Sequence, residues 1–302
     1  MPTIGIVGGG NVGANTAFFL AERDVADVIL YDAKEGFSEG KALDMMEAST
    51  IRTYQVAVSG TSSIEDIVDT DVVIIAGSTE RTSGMQRDDL IDANQPLVDE
   101  VAAKLTNYQG SVIIVCEPVD LLTTVFVRKS GLPPAKVMGL GGCLDAVRLR
   151  FLIARELSMS FESVRATVIG RHSDEMIPLP EYCRVSGVPV SALMSREKID
   201  SIFEETKNAG DHIVELAQRS GAFYGPAATA SDLAEAIIRG TGRIISVSQM
   251  FQGQYGIEGA AMSLPSIIGK NGIEKTLEPV LADEQKAALA ASAEAIKSAL
   301  GQ

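Results

Sequence analysis

The chain of 302 residues holds only two histidines, His172 and His212, and they sit in different settings. His172 follows the β-rich stretch Ala166-Thr167-Val168-Ile169-Gly170. That puts it at a strand end entering a loop, where chemistry concentrates, and histidine is the usual proton acceptor near neutral pH. His212 lies in the helical run Asp211-His212-Ile213-Val214-Glu215-Leu216 and reads as a helix-surface residue. In Leu144-Asp145-Ala146-Val147-Arg148, Asp145 and Arg148 share one helix face. They form either an intrahelical ion pair or a working couple. In the second reading Asp145 orients and charges a histidine while Arg148 forks onto a carboxylate. Arg81 and Arg87 lie in a run of small polar residues, 76–87, after a strand. That run is either a solvated loop or a lid that carries guanidinium groups to an anion and excludes water.

A second chemistry-bearing pattern opens the chain. Gly8, Gly10 and Gly13 form a GxGxxG turn between a strand and a helix, with Gly9, Asn11 and Val12 between them. The first glycine allows the tight turn, the second lets backbone approach a pyrophosphate, and the third lets helix and strand pack closely. The helix start offers N–H groups and a positive dipole end. A second strand, 28–31, ends in Asp32, where a carboxylate can accept from ribose hydroxyls and repel a 2′-phosphate. The context predicts a dinucleotide site that favours NAD over NADP. A Walker P-loop is absent: the run 36–42 is one residue short and lacks the Ser/Thr.

The elements needed to position these groups follow a βαβα rhythm. Strands are expected at 4–7, 28–31, 55–58, 72–76, 112–116 and 137–140, with helices such as 11–22 and 88–105 between them. Continuous β-branched runs such as Val72-Val73-Ile74-Ile75 suit strands covered by helices on both faces. The fold class is α/β: a Rossmann-type doubly wound parallel sheet, followed by an α+β substrate domain. The boundary is expected near Gly141-Gly142, giving units 1–142 and 143–302. In the second unit helices are expected at 144–157, 195–219, 227–239 and 283–300, and strands at 164–169, 176–185, 244–250 and 260–268.

Composition narrows the function. Twenty-six Lys and Arg against 40 Asp and Glu give a net charge of −14, which excludes the basic face of a nucleic-acid binder and disfavours anionic lipid. Cys116, Cys143 and Cys183 are too few and too scattered for a disulfide framework or a zinc site, so no metal is expected. No apolar run approaches the roughly 20 residues of a membrane span, and no targeting segment is expected ahead of a strand that begins at Thr3. These features predict a soluble cytoplasmic protein.

With these residues in view the chain resembles the NAD-dependent malate/lactate dehydrogenases over nearly its whole length, and is most similar to their lactate-dehydrogenase-like malate branch. Leu144-Asp145-Ala146-Val147-Arg148-Leu149-Arg150 is similar to the family's LDSARFR motif, and Gly170-Arg171-His172-Ser173-Asp174-Glu175-Met176 to its GGHGDxM motif. Residues 40–48 resemble its first subunit-contact helix, and Arg87-Asp88-Asp89-Leu90 with Asn94 its lid-to-helix segment. Gly221-Ala222-Phe223-Tyr224 and the run 269–275 resemble its C-terminal segments. The resemblance implies His172 as acid and base, Asp145 as its partner, and Arg148 on the substrate's C1 carboxylate. It implies Arg87 polarising the carbonyl and Arg81 pairing with a second carboxylate. It also implies NAD held by Gly8, Gly9, Gly10, Asn11, Val12, Gly13, Asp32, Gly77, Asn94, Val115 and Glu117. The expected reaction interconverts (S)-malate and oxaloacetate in carboxylic acid metabolism, in a homodimer or homotetramer.

Three departures bear on specificity. Where the family has Asn-Pro-Val-Asp, this chain has Glu117-Pro118-Val119-Asp120. A carboxylate only accepts unless protonated, so Glu117 at a substrate-facing position needs Arg87 or Arg148 beside it, or a raised pKa. The lid has one extra residue between Gly77 and Arg81; a different placement of that gap puts Glu80 at the discriminating position. Arg171 and Ser173 replace the glycines flanking the histidine, and Arg171 is expected to face solvent. The alternatives are therefore an L-2-hydroxyacid dehydrogenase of lactate type with another side-chain preference, and a catalytically silent NAD-binding homologue.

Overall fold

The computed structural model describes residues 1–79, 81, 84–218 and 221–301. Six parallel strands come first: β1 (Thr3–Val7), β2 (Asp27–Tyr31), β3 (Val58–Thr61), β4 (Val72–Ile75), β5 (Ser111–Ile114) and β6 (Val137–Gly139). They alternate with helices α1 (Asn11–Glu22), α2 (Phe37–Arg52), α3 (Ile91–Lys104) and α4 (Val119–Ser130). Helix α5 (Gly142–Glu156) opens the second half. Five two-residue strands follow: β7 (Val164–Arg165), β8 (Val168–Ile169), β9 (Ile177–Pro178), β10 (Arg184–Val185) and β11 (Val188–Pro189). The chain ends with α6 (Arg196–Ala217), α7 (Tyr224–Arg239), β12 (Arg243–Gln252), β13 (Glu258–Gly269), β14 (Gly272–Thr276) and α8 (Asp283–Ala299).

The main sheet runs β14-β13-β12-β6-β5-β4-β1-β2-β3. Its first-half strands are parallel, and an antiparallel bridge between Ser248 and Gly139 joins the last three to them. Period-two alternation explains why the β-branched runs are continuous. Val72 and Ile74 of β4 pack toward α1 and α7, beside Leu20 and Leu233, while Val73 and Ile75 pack toward α3 and α4, beside Val101 and Phe126. Both faces are buried, as a doubly wound sheet requires. One of the helices on the first face, α7, comes from the second half of the chain.

Two sequence expectations shift. The strand expected at 55–58 begins only at Val58, because side chains take the preceding N–H groups. Asp24 accepts from Gln55 (2.7 Å) and Val56 (3.3 Å), and Asp27 accepts from Ala57 (2.8 Å). The strands expected at 164–169 and 176–185 break into short pieces in two small sheets. In the second, Pro178 pairs with Val168 at the end of β9, but neither it nor Pro180 can donate, so the ladder stops there. The helix expected to reach 219 is described to Ala217; Arg219 lies outside the described residues. On α2, of the apolar residues in 41–48, Ala42 is buried and Leu43 is 62% exposed.

Candidate active site

The cofactor end is built by close backbone approach. Gly8 turns with φ +102°, and a Cβ on Gly13 would stand 1.9 Å from the Gly8 carbonyl oxygen, so α1 can leave β1 here only with glycine at both positions. Gly77 lies against Gly8, and Gly10 faces open space at the start of α1, which no side chain caps. Asp32, just past β2, accepts from the N–H of Gly9 (2.8 Å) and Lys34 (3.0 Å), so its carboxylate is fixed at the rim of the turn. An open space beside an uncapped helix start, with a carboxylate at its edge, fits a pyrophosphate followed by a ribose. Of the other cofactor candidates, Val12, Val115 and Glu117 line the cavity that also contains His172. Asn94 is buried, accepts from Thr79 N–H (2.7 Å) and donates to the Glu117 carbonyl (2.6 Å). It thereby fastens the lid base to the loop after β5.

His172 is held on several sides. Gly170, two residues before it, exchanges both backbone hydrogen bonds with Ser263 of β13 (2.9 Å each). The His172 N–H donates to Asp120 Oδ2 (2.6 Å), while the Ser248 hydroxyl donates to Asp120 Oδ1. The ring's Nδ1 lies 2.8 Å from Asp145 Oδ2. Helix α5 is set in place by the Gly142 N–H on Ser263 Oγ (2.7 Å), which puts Asp145 in its first turn facing the ring. Burial pushes the His172 pKa down, but Asp145 and Glu117 raise it more than burial and Arg87 lower it, so the net shift is upward.

Three guanidinium groups converge on the same cavity. Arg148, one turn along α5 from Asp145, has a buried Nη1 with no hydrogen-bond partner among the described residues; Asp145 Oδ1 is 3.7 Å away. Burial lowers its pKa, so the charge is costly there without an anion. Arg87, 9% exposed, points its Nε at Glu117 Oε1 (3.4 Å). Arg81 pairs with Asp211 of α6 and has its Nε 3.9 Å from Glu117 Oε2. Glu80, the alternative residue for the lid position, lies outside the described residues, as do Thr82 and Ser83.

The departures acquire definite places. Glu117 is paired with Arg87 and lies near Arg81 and His172. Burial raises its pKa, but His172, Arg87 and Arg81 outweigh that and bring it to about 2. A raised pKa is therefore not how the chain tolerates it, and Arg148 is not its partner. Arg171 does not face solvent: it is 8% exposed and pairs with Asp88 and Glu175. Both carboxylates lie within reach of its backbone position, and pairing offsets the cost of burying it. His212 is exposed on α6, away from the cavity lining.

Asp120, Asp211 and Gly210 escaped the sequence reading. Gly210 lies inside a 22-residue helix, and a Cβ there would come within 3.0 Å of Arg87 Nη2 and 3.6 Å of Arg148 Nη2. A glycine that deep in a helix is itself a signal of close approach. Among the described residues no group of three or more His, Cys, Asp or Glu could hold a metal ion. No helix among them is long and apolar enough to cross a membrane.

A dinucleotide turn that feeds a cavity with a His–Asp pair and converging arginines defines an NAD-dependent oxidoreductase of small anionic substrates. The chain belongs to the lactate/malate dehydrogenase family: residues 3–139 match its NAD binding domain and residues 143–302 its alpha/beta C-terminal domain. A malate dehydrogenase from Methanosarcina mazei is 40% identical over 304 residues, covering 100% of this chain and 99% of that one. One from Geobacillus sp. (strain WCH70) is 38% identical, covering 98% and 96%. Among solved structures, the malate dehydrogenase of Cryptosporidium parvum superposes with a TM-score of 0.96 at 33% identity, covering 99% of this chain and 98% of that one. The lactate dehydrogenase of the same organism, complexed with lactic acid and β-nicotinamide adenine dinucleotide, gives 0.94 at 33%, covering 99% and 96%.

Proposed function

We propose that this chain is an NAD-dependent L-malate dehydrogenase that interconverts (S)-malate and oxaloacetate. Malate and lactate enzymes superpose on it almost equally well, so the backbone does not discriminate between them. The observation that carries the reading is Arg81, a half-sheltered guanidinium beside Arg87, Glu117 and the cavity. A second substrate carboxylate can draw this guanidinium from its Asp211 pair into the closing site, and a monocarboxylate offers it nothing.

NAD, held along Gly8–Gly13, Asp32, Gly77, Val115 and Asn94, supplies the acceptor for the C2 hydride when bound, and its reduced form the donor. The chain's residues do the rest. Arg148 fixes the C1 carboxylate through two parallel N–H donors. Arg81 receives the second carboxylate. His172 Nε2 takes the C2 hydroxyl proton in oxidation and returns it to the oxo oxygen in reduction. Asp145 holds Nδ1–H, fixes the tautomer and stabilises the imidazolium. Arg87 stabilises charge that develops on the C2 oxygen. Residues 1–142 then hold the cofactor and lend Arg81 and Arg87 to the substrate, while 143–302 supply Arg148, Asp145 and His172. Leu43 and Ile51, 62% and 81% exposed on α2, support a second copy of the chain as partner. A cytoplasmic role in the tricarboxylic acid cycle completes the reading.

The test follows NADH absorbance with oxaloacetate and pyruvate. Wild type turns over oxaloacetate faster, and Arg81→Gln loses about 100-fold or more in kcat/KM for it while gaining with pyruvate. A wild type that prefers pyruvate or an apolar 2-oxoacid overturns the malate assignment. That second reading, a lactate-type 2-hydroxyacid dehydrogenase, draws its support from the Arg81–Asp211 pair and from Glu117, which together offset two of the three guanidinium charges.

A further inference from the structure

Glu117 departs from the family's Asn inside the site, and its placement is over-determined. Asn94 donates to its carbonyl at 2.6 Å, and Arg87 lies 3.4 Å from Oε1. The carboxylate comes within 3.8 Å of His172 Nε2, while Asp145 holds Nδ1 at 2.8 Å. The imidazole is therefore bracketed by two carboxylates on separate elements, α5 and the loop after β5. The 3.8 Å gap is longer than a hydrogen bond, so Nε2 stays open to a substrate oxygen.

Other charges around the ring are engaged elsewhere. From α5, Arg148 Nη1 stands 3.7 Å from Asp145 Oδ1. From α4, Asp120 takes the His172 backbone N–H and the Ser248 hydroxyl. On the ring's own loop, Arg171 is spent on Glu175 and on Asp88 from the turn before α3. Arg81 of the lid pairs with Asp211 of α6. Arg87 is left as the cation acting against a protonated ring, and Glu117 stands directly beside it.

We propose that Glu117 is a positioning residue for the proton transfer: a second carboxylate on the imidazole, opposite Asp145, that favours the protonated ring and with it the reduction of oxo acids. The inference rests on His172 being the acid–base group. A keto oxygen needs a donor, which the protonated ring provides and an ionised carboxylate does not. The upward shift of His172, to which Glu117 contributes, agrees with it.

NMR of histidine-labelled protein tests this directly, because the chain has two histidines and His212, exposed on α6, serves as the internal reference. In Glu117→Gln the His172 midpoint falls by about one pH unit. Glu117→Asn, which installs the family residue, repeats the test should the glutamine variant fold poorly. Glu117→Asp, which keeps the charge, restores most of the shift. The alkaline limit of oxaloacetate reduction and the acid limit of malate oxidation move down together with the midpoint. A His172 midpoint that stays put or rises in both neutral variants overturns the proposal. A midpoint that falls as expected, in a protein that prefers pyruvate, upholds it and overturns the malate assignment alone.

Discussion

Arg148 is the guanidinium with most to gain from an anion, since its buried Nη1 has no hydrogen-bond partner among the described residues and Asp145 is too distant to supply one. Lysine keeps the charge but loses the planar fork. Arg148→Lys is therefore expected to raise KM for oxaloacetate about 100-fold with a smaller change in kcat, read by steady-state kinetics. At this scale the residue types were legible and their partners only in part. His172 stood out because histidine is scarce, and Asp145 and Arg148 because three-residue spacing shares a helix face. Glu117 was visible as a departure, but its neighbours come from two distant segments, Arg81 and Arg87 from the run 76–87 and His172 from the loop after β8. Local spacing carries no information on such pairings, and the sign of its pKa shift depends on them.

Among the elements, α6 is where site and scaffold compete. Gly210 costs the helix about 1 kcal/mol relative to alanine, yet a methyl there would press on Arg87 Nη2 at 3.0 Å. Gly210→Ala is expected to leave Tm unchanged or raised while lowering kcat/KM about 10-fold, as thermal melts and initial rates would show together. A large drop in Tm would mean that the guanidinium groups cannot give way. Strong periodicity made the parallel strands and most helices readable. The stretch 164–189 was not, because its order comes from β13, through the Gly170–Ser263 bridge, and from 3-10 turns between prolines.

On the scale of the molecule, net charge bears on the class of partner but names none. On the proposed reading a second copy covers the exposed Leu43 and Ile51 of α2. Leu43→Glu is expected to convert an oligomer into a species of monomer mass by light scattering, with an unchanged circular dichroism spectrum. A wild type that already runs as a monomer would remove the contact role given to this helix. The sequence also presented two successive units. The sheet and its covering helices cross that division, because α7 buries Leu233, Ala234 and Ile237 against strands made from the first 75 residues.

That crossing sets an order of events during synthesis. The six parallel strands and α1 leave the ribosome long before residues 224–239 do, and until α7 arrives the apolar face it shares with α1 is only partly covered. Contacts of such wide sequence separation are slow to form and exposed to misassociation. The Arg23–Glu235 ion pair (2.6 Å) and the Arg239 bond to the Arg23 carbonyl (3.1 Å) close the seam once it forms. Part of the core of the first 142 residues is thus supplied by α7, which is translated last but for three strands and a helix.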